Sequence, residues 1–374
     1  MTESRKNKIT VLLVFTFLLG FMVWGIVKPD GEKSLSERRK LEKFPEFSLQ
    51  KVEDGSFMRN FEKYALDQFP LRDTFRKVKS AVAFYVMRQS DIHDIYLEKG
   101  YAIKQEYPLD EKALEYAVKR FRFVYEQFLM DKDVNIYHAI IPDKNYFGAK
   151  DQAVLSMDYD FFVQKINQGM DFSSYIDIMP CLSLEDYYKT DTHWRQEKIL
   201  PVAEKLANAM GAEFYGNFNF VELEQPFYGV YYGQAALPLL AETIFYAKGD
   251  SIDALSVTDF ETGKEGFVYD MNKAFGDDPY EMFLAGSKSL LLLERKQESG
   301  QESATEEQSR ELIVFRDSFS SSLAPLLTEG YDRIWLVDIR YLAPALIDRF
   351  ITFDKQDVLF LYSTSVLNNS ITIK

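Results

Sequence analysis

Two short blocks hold the residues whose types and spacing could do chemistry. Asp191-Thr192-His193-Trp194 places a carboxylate two positions before one of only three histidines in the chain. In an extended segment residues i and i+2 point to the same side, so Asp191 reaches a ring nitrogen of His193 and fixes its tautomer. Arg316-Asp317-Ser318-Phe319 follows an apolar run and precedes a helical pattern. A serine there projects above a sheet, and its own backbone N–H points with a helix N-terminus toward an oxyanion. A serine hydroxyl is a poor nucleophile at neutral pH, and His193 is the candidate base that would activate it. Together Ser318, His193 and Asp191 have the composition of a Ser-His-Asp acyl-transfer site.

Each residue also has a structural use. Serine is a preferred helix N-cap, with Ser320, Ser321 and Ser322 as rivals, and a lone His193 is more commonly a hydrogen-bonded structural histidine. The two blocks strengthen one another because each supplies what the other lacks. Cys181, in an apolar strand-and-turn pattern, reads as a buried inert thiol. One cysteine and three scattered histidines exclude a disulfide framework and a His-rich metal site, so neither metal nor cofactor is expected. The net charge of -14 and pI near 4.9 argue against nucleic acid as a partner, since phosphate binding needs a basic stripe. Aromatics, 15% of the chain, read mainly as core and half-buried strand residues.

The elements that must position these residues follow from hydrophobic period. Residues 9–27 carry no charge and are long enough to cross a bilayer once. Arg5, Lys6 and Lys8 precede them and Trp24 lies near the far end, so residues 1–8 form a cytoplasmic basic tail and everything after the span is extracytoplasmic. No Ala-x-Ala pattern follows, which favours an uncleaved anchor over a signal peptide. Residues 28–48 read as a stalk and 49–374 as the main domain. Within it, 49–89 carries two helices joined at Phe69-Pro70, 95–103 a hairpin, 111–129 a helix and 134–142 a strand. The strand ends at Pro142-Asp143-Lys144-Asn145-Tyr146, where an α/β sheet places site loops. A helix over 195–210, with Pro201 as a kink, follows the Asp191 to Trp194 block. Residues 215–295 read as an irregular β insertion rich in Tyr, Phe and Gly, and 296–310 as a solvated polar loop. Strands at 312–315, 333–338 and 357–362 alternate with helices at 319–327 and 343–350, the pattern of a doubly wound parallel sheet.

Tyr188-Lys189-Thr190-Asp191-Thr192-His193-Trp194 together with Arg316-Asp317-Ser318-Phe319 resembles the SGNH-hydrolase-like domains of the alginate O-acetyltransferase family. Leu41-Glu-Lys-Phe-Pro-Glu-Phe47 and Phe69-Pro-Leu-Arg72 are more similar to the related bacterial DHHW family, named for an Asp-His-His-Trp motif whose second position is Thr192 here. The resemblance spans most of residues 35–365 through these short blocks. It implies a flavodoxin-like three-layer α/β/α sheet in permuted order, with Ser318 as nucleophile, His193 as base and Asp191 as its orienter. It also brings Arg340 and Tyr341, just past a strand, near the site, with Lys144, Asn145 and Trp194 as further substrate-binding or oxyanion candidates. A surface ion pair is the competing role for Arg340. The Gly-rich oxyanion block of ordinary SGNH esterases is not recognisable.

The function expected on these grounds is a membrane-anchored, outward-facing O-acetyltransferase or acetylesterase acting on a cell-surface or exported glycan. The resemblance also implies a membrane protein that supplies acetyl groups. The competing class is a non-catalytic envelope protein that keeps the fold for binding or assembly.

Overall fold

The computed structural model describes residues 2–34, 36–151, 154–296 and 309–374. Most of the expected polar loop at 296–310 therefore lies outside the described residues. The chain divides into two units, one of residues 1–93 and 232–239 and the other of residues 94–231 and 240–374.

The first unit begins with helix α1 (Glu3–Val27), long and apolar enough to cross a membrane, a property that a signal sequence near an N-terminus shares. Helices α2 (Ser56–Asp67) and α3 (Arg72–Ala81) follow, the latter continued by a π-helical turn over Val82–Val86. The break between α2 and α3 falls at Phe69-Pro70, as the sequence suggests. Proline has no N–H to continue the ladder.

The second unit is a mixed α/β structure around one eight-stranded sheet. A hairpin of β1 (Ile95–Glu98) and β2 (Tyr101–Lys104) precedes α4 (Glu111–Val124). Asp110 caps α4 by accepting from the Ala113 N–H, and Leu114, Ala117, Phe121 and Val124 recur on its buried face. Strand β3 (Asn135–Ile141), α5 (Lys144–Gly148), α6 (Tyr159–Gly169), the short β4 (Ser174–Tyr175) and α7 (Leu200–Ala209) come next. A separate two-stranded ribbon pairs β5 (Asn219–Glu222) with β6 (Phe245–Lys248). The remaining strands are β7 (Leu255–Asp259), β8 (Lys264–Gly266), β9 (Leu290–Arg295), β10 (Glu311–Arg316), β11 (Arg333–Val337) and β12 (Asp357–Ser363).

The sheet runs in the order β8-β7-β9-β11-β10-β12-β3-β4. The five strands from β11 to β4 are mutually parallel, whereas β9, β7 and β8 join antiparallel. The expected all-parallel sheet is thus extended on one side by strands from the 215–295 region. Residues 260–263 join β7 to β8 directly as an antiparallel pair, whereas residues 267–289 intervene before β9 returns to pair with β7.

Side chains alternate between two cores. Leu312 and Val314 of β10 face one, with α7 residues Val202, Ala203 and Leu206. Ile313 and Phe315 face the other, with Phe121 of α4 and Phe162 of α6. Strands buried on both faces need unbroken apolar runs, which is why β10, β11 and β12 are conspicuous in the sequence. Two expected helices are shorter than their pattern: 320–323 passes into a 3-10 segment, and 344–349 is 3-10 throughout. Pro201 stands at the start of α7 and does not kink it, because the first helical turn has no use for the missing N–H.

Candidate active site

Ser318 lies two residues past β10, a central strand, at its C-terminal end. The turn that carries it is held by Asp317, whose Oδ1 accepts from the Phe319 N–H at 3.0 Å and whose Oδ2 accepts from the Ser363 N–H at 2.7 Å. Fully buried Arg316 adds a hydrogen bond to Ser321 Oγ at 2.6 Å. Ser318 is not an N-cap: the short helix from Ser320 is entered through Phe319 with no side-chain cap.

The Ser318 Oγ instead lies 2.8 Å from His193 Nε2, and His193 Nδ1 lies 2.7 Å from Asp191 Oδ1. An ionised carboxylate only accepts, so Nδ1 carries the proton and Nε2 is left as the acceptor facing Ser318. Asp191 is buried while His193 and Ser318 are half-buried, so only the reacting end of the chain of hydrogen bonds reaches solvent. His138 makes the contrast: its nitrogens meet Ser173 Oγ and Asn167 Oδ1, and it is a structural histidine.

The Asp191 carboxylate has further donors. The His193 N–H reaches its Oδ1 at 3.1 Å and the Val230 N–H its Oδ2 at 2.9 Å. That approach requires Gly229, where a Cβ would fall 2.3 Å from both Asp191 Cβ and the Thr190 carbonyl oxygen. Glu242 clamps the same loop by accepting from the Lys189 and Thr190 N–H groups at 2.6 and 2.7 Å. Thr192 hydrogen-bonds Tyr231. The ring of Tyr280 stacks on His193 at 3.9 Å between centroids, and Phe319 tilts against it at 4.9 Å.

Trp194 is fully buried, which corrects its expected role as a substrate or oxyanion contact. Its Nε1 donates to the Phe319 carbonyl at 3.1 Å and to Ser322 Oγ at 2.9 Å, and neighbouring Gln196 donates to the Ser322 carbonyl at 2.7 Å. The residue after His193 is thereby tied to the residue after Ser318. Lys144 and Asn145 are also buried and engaged, not presented to a substrate. Lys144 Nζ donates to the Tyr188 and Lys189 carbonyls at 2.9 and 3.2 Å. Burial pushes its amine down to about 7, against the pull of Asp191 and Glu242. Asn145 accepts from the Tyr96 hydroxyl at 2.9 Å.

Arg340 makes a two-pronged pair with Asp338, at 2.9 and 2.6 Å, which holds its guanidinium above the usual arginine range despite burial. Tyr341 is exposed beside it. Cys181 is half-buried in a short turn, and burial raises its thiol. Among the described residues no cluster of metal-ligating side chains occurs.

Gly229, Tyr280 and Glu242 carry no mark in the sequence as site residues. They lie in the 215–295 region, where no hydrophobic period points toward residue 191. A glycine flanked by aromatics, as in Tyr228-Gly229-Val230-Tyr231, is the nearest thing to a signal.

No family model matches the sequence, and no curated protein does either. Solved structures do match. A DHHW family protein from Eubacterium siraeum superposes with a TM-score of 0.55 at 18% identity, over 75% of this chain and 93% of that one. Bacillus cereus PatB1 with a sulfonyl adduct gives 0.51 at 16% identity, over 73% and 97%. A second PatB1 structure gives 0.50 at 16% identity, over 73% and 96%. The chain shares its fold with these proteins.

Proposed function

We propose that this protein is a serine-dependent O-acetyltransferase or acetylesterase acting on a cell-surface or exported glycan, held at the membrane by residues 9–27. The observation that carries the reading is the His193 ring bridging Asp191 at 2.7 Å and Ser318 at 2.8 Å. PatB1 has been captured as a sulfonyl adduct, the product expected when a sulfonylating reagent meets an activated nucleophile.

In this reading Ser318 Oγ attacks the acetyl carbonyl while His193 Nε2 takes the hydroxyl proton. Asp191 stabilises the resulting imidazolium without becoming protonated. The tetrahedral adduct collapses, the departing oxygen takes the proton from His193, and the acetyl group stays on Ser318. A sugar hydroxyl or water, deprotonated by His193, then attacks the acetyl-serine and restores it. The net charge of -14 suits a neutral or basic glycan. With Arg5, Lys6 and Lys8 before the span, the positive-inside rule puts the second unit outside the cell. Acetyl groups of cytoplasmic origin would then reach it through a separate membrane protein.

The test is acetate release from a model acetyl ester by the full chain in detergent, beside Ser318→Ala. A fall of at least about 10³-fold is expected for the variant. Equal rates would remove Ser318 from the mechanism.

A further inference from the structure

Helix α3 and the π-helical turn after it carry an apolar stripe that the protein leaves uncovered. Leu71, Phe75, Val78, Val82 and Val86 recur at helical spacing, with exposures from 42% at Phe75 to 73% at Val86. The opposite side is spoken for: Ser80 and Ala83 are buried, and Arg76 bonds Glu37 and the Gly233 carbonyl within the same unit. A row of large side chains this exposed needs an occupant.

The stripe is continuous with the span. Phe21 of α1 stacks on Phe69 at 5.4 Å and meets the edge of Phe75 at 5.7 Å. Phe21 lies nearly two turns before Val27, about 9 Å along the axis. Rings that touch Phe21 share its depth. The attachment is firm as well, since Gln68 both accepts from the Gly31 N–H and donates to the Gly31 carbonyl, at 2.8 and 3.0 Å.

Charge agrees with the same occupant. In a chain of net charge -14, residues 56–88 hold seven Lys and Arg against three Asp and Glu. Lys77 and Lys79 are exposed and flank the stripe on either side, where their stems can lie along apolar surface while the amines reach headgroups.

We infer that α3 and the turn after it are a membrane-inserted foot: the stripe of Leu71, Phe75, Val78, Val82 and Val86 lies in the hydrocarbon boundary of the leaflet in which the span ends, with flanking lysines on anionic phospholipid headgroups. This inference rests on the reading of residues 9–27 as an anchor. The foot makes the first unit a two-point attachment, one point crossing the bilayer and the other lying in its surface, and restricts the swivel that a single span would allow.

The test uses the full chain in a Cys181→Ser background, carrying a fluorophore at Val78→Cys, Val14→Cys or Asp73→Cys. The proteins are placed in vesicles of phosphatidylglycerol and phosphatidylcholine with or without bromine on the acyl chains. Quenching of at least twofold is expected at positions 78 and 14 and little at 73, with Val82→Cys reproducing 78. If 14 is quenched and 78 behaves as 73 does, the anchor stands and the foot is overturned. If 14 is also unquenched, the anchor reading fails and takes the foot with it. Position 78 unquenched in vesicles yet shielded from an aqueous thiol reagent in native membranes would assign the stripe to a protein and overturn the lipid.

Discussion

Tyr280 lies flat against the imidazole of His193, with centroids 3.9 Å apart and 11° between the ring planes. Its hydroxyl is 3.0 Å from Ser322 Oγ, the atom to which Trp194 Nε1 also donates. The stack prevents the imidazole from turning about its side-chain bonds, so Nε2 stays aimed at Ser318. Tyr280→Phe is expected to keep activity on an acetyl ester near the parent level and to lower stability by about 1 kcal/mol, for the one lost hydrogen bond. Tyr280→Leu is expected to lower kcat roughly 10-fold with little change in KM, through loss of orientation. Steady-state kinetics beside a urea melt separate the two effects.

Asp191→Asn should leave the loop folded yet reverse the hydrogen-bond polarity at His193 Nδ1. The imidazole would then favour the wrong tautomer, and kcat is expected to fall by about 10⁴-fold. Retention of the near-ultraviolet dichroism of the parent, together with that loss, is the outcome that assigns the effect to chemistry.

Gly229→Ala places a methyl group against Asp191 Cβ and the Thr190 carbonyl, both 2.3 Å away. Backbone must yield there, at a cost of roughly 1–3 kcal/mol. The Val230 N–H would retreat from Asp191 as a result, so activity is expected to drop along with the denaturation midpoint. A stable variant of unchanged activity would show that this close approach is not required.

Lys144 supplies a pH dependence of stability. Burial lowers its amine to about 7 in the folded chain, against the ordinary lysine value of 10.5 that it regains when unfolded. Between those values the unfolded chain holds more protons, so unfolding becomes costlier as pH rises. The gain is absent below pH 7, where both states are protonated. Lys144→Met is expected to remove this slope, so the parent's stability should rise relative to the variant from pH 7 to 10, as read by melting temperature.

The parts of the fold legible in the sequence are those where local pattern and tertiary role coincide. Strands β10, β11 and β12 are apolar on both faces and stand out for that reason. Asp191 and His193 are close in sequence, so their contact is nearly local. Pro201 misled because the same residue kinks a helix interior and opens a helix start, and only the position of α7 distinguishes the two. Strands β7 and β8 carry no long apolar run, since antiparallel strands near a sheet edge need none, whereas Leu290 to Leu293 of β9 form one. Lys144 and Asn145 read as substrate-binding or oxyanion candidates because they follow a strand end, which is visible in a sequence, while their burial is not.

By itself the sequence determined which groups could react, where the apolar span lies and that an α/β sheet follows, because residue type, spacing and period are local properties. Tertiary structure alone decided that Ser318 Oγ faces His193 across 125 positions of chain, through the Trp194 tie to the Phe319 turn. It alone decided that Gly229, Tyr280 and Glu242 serve the same histidine loop. A hydrogen bond or ring stack acts over a few ångströms, and only packing of the whole sheet brings such distant positions within that range.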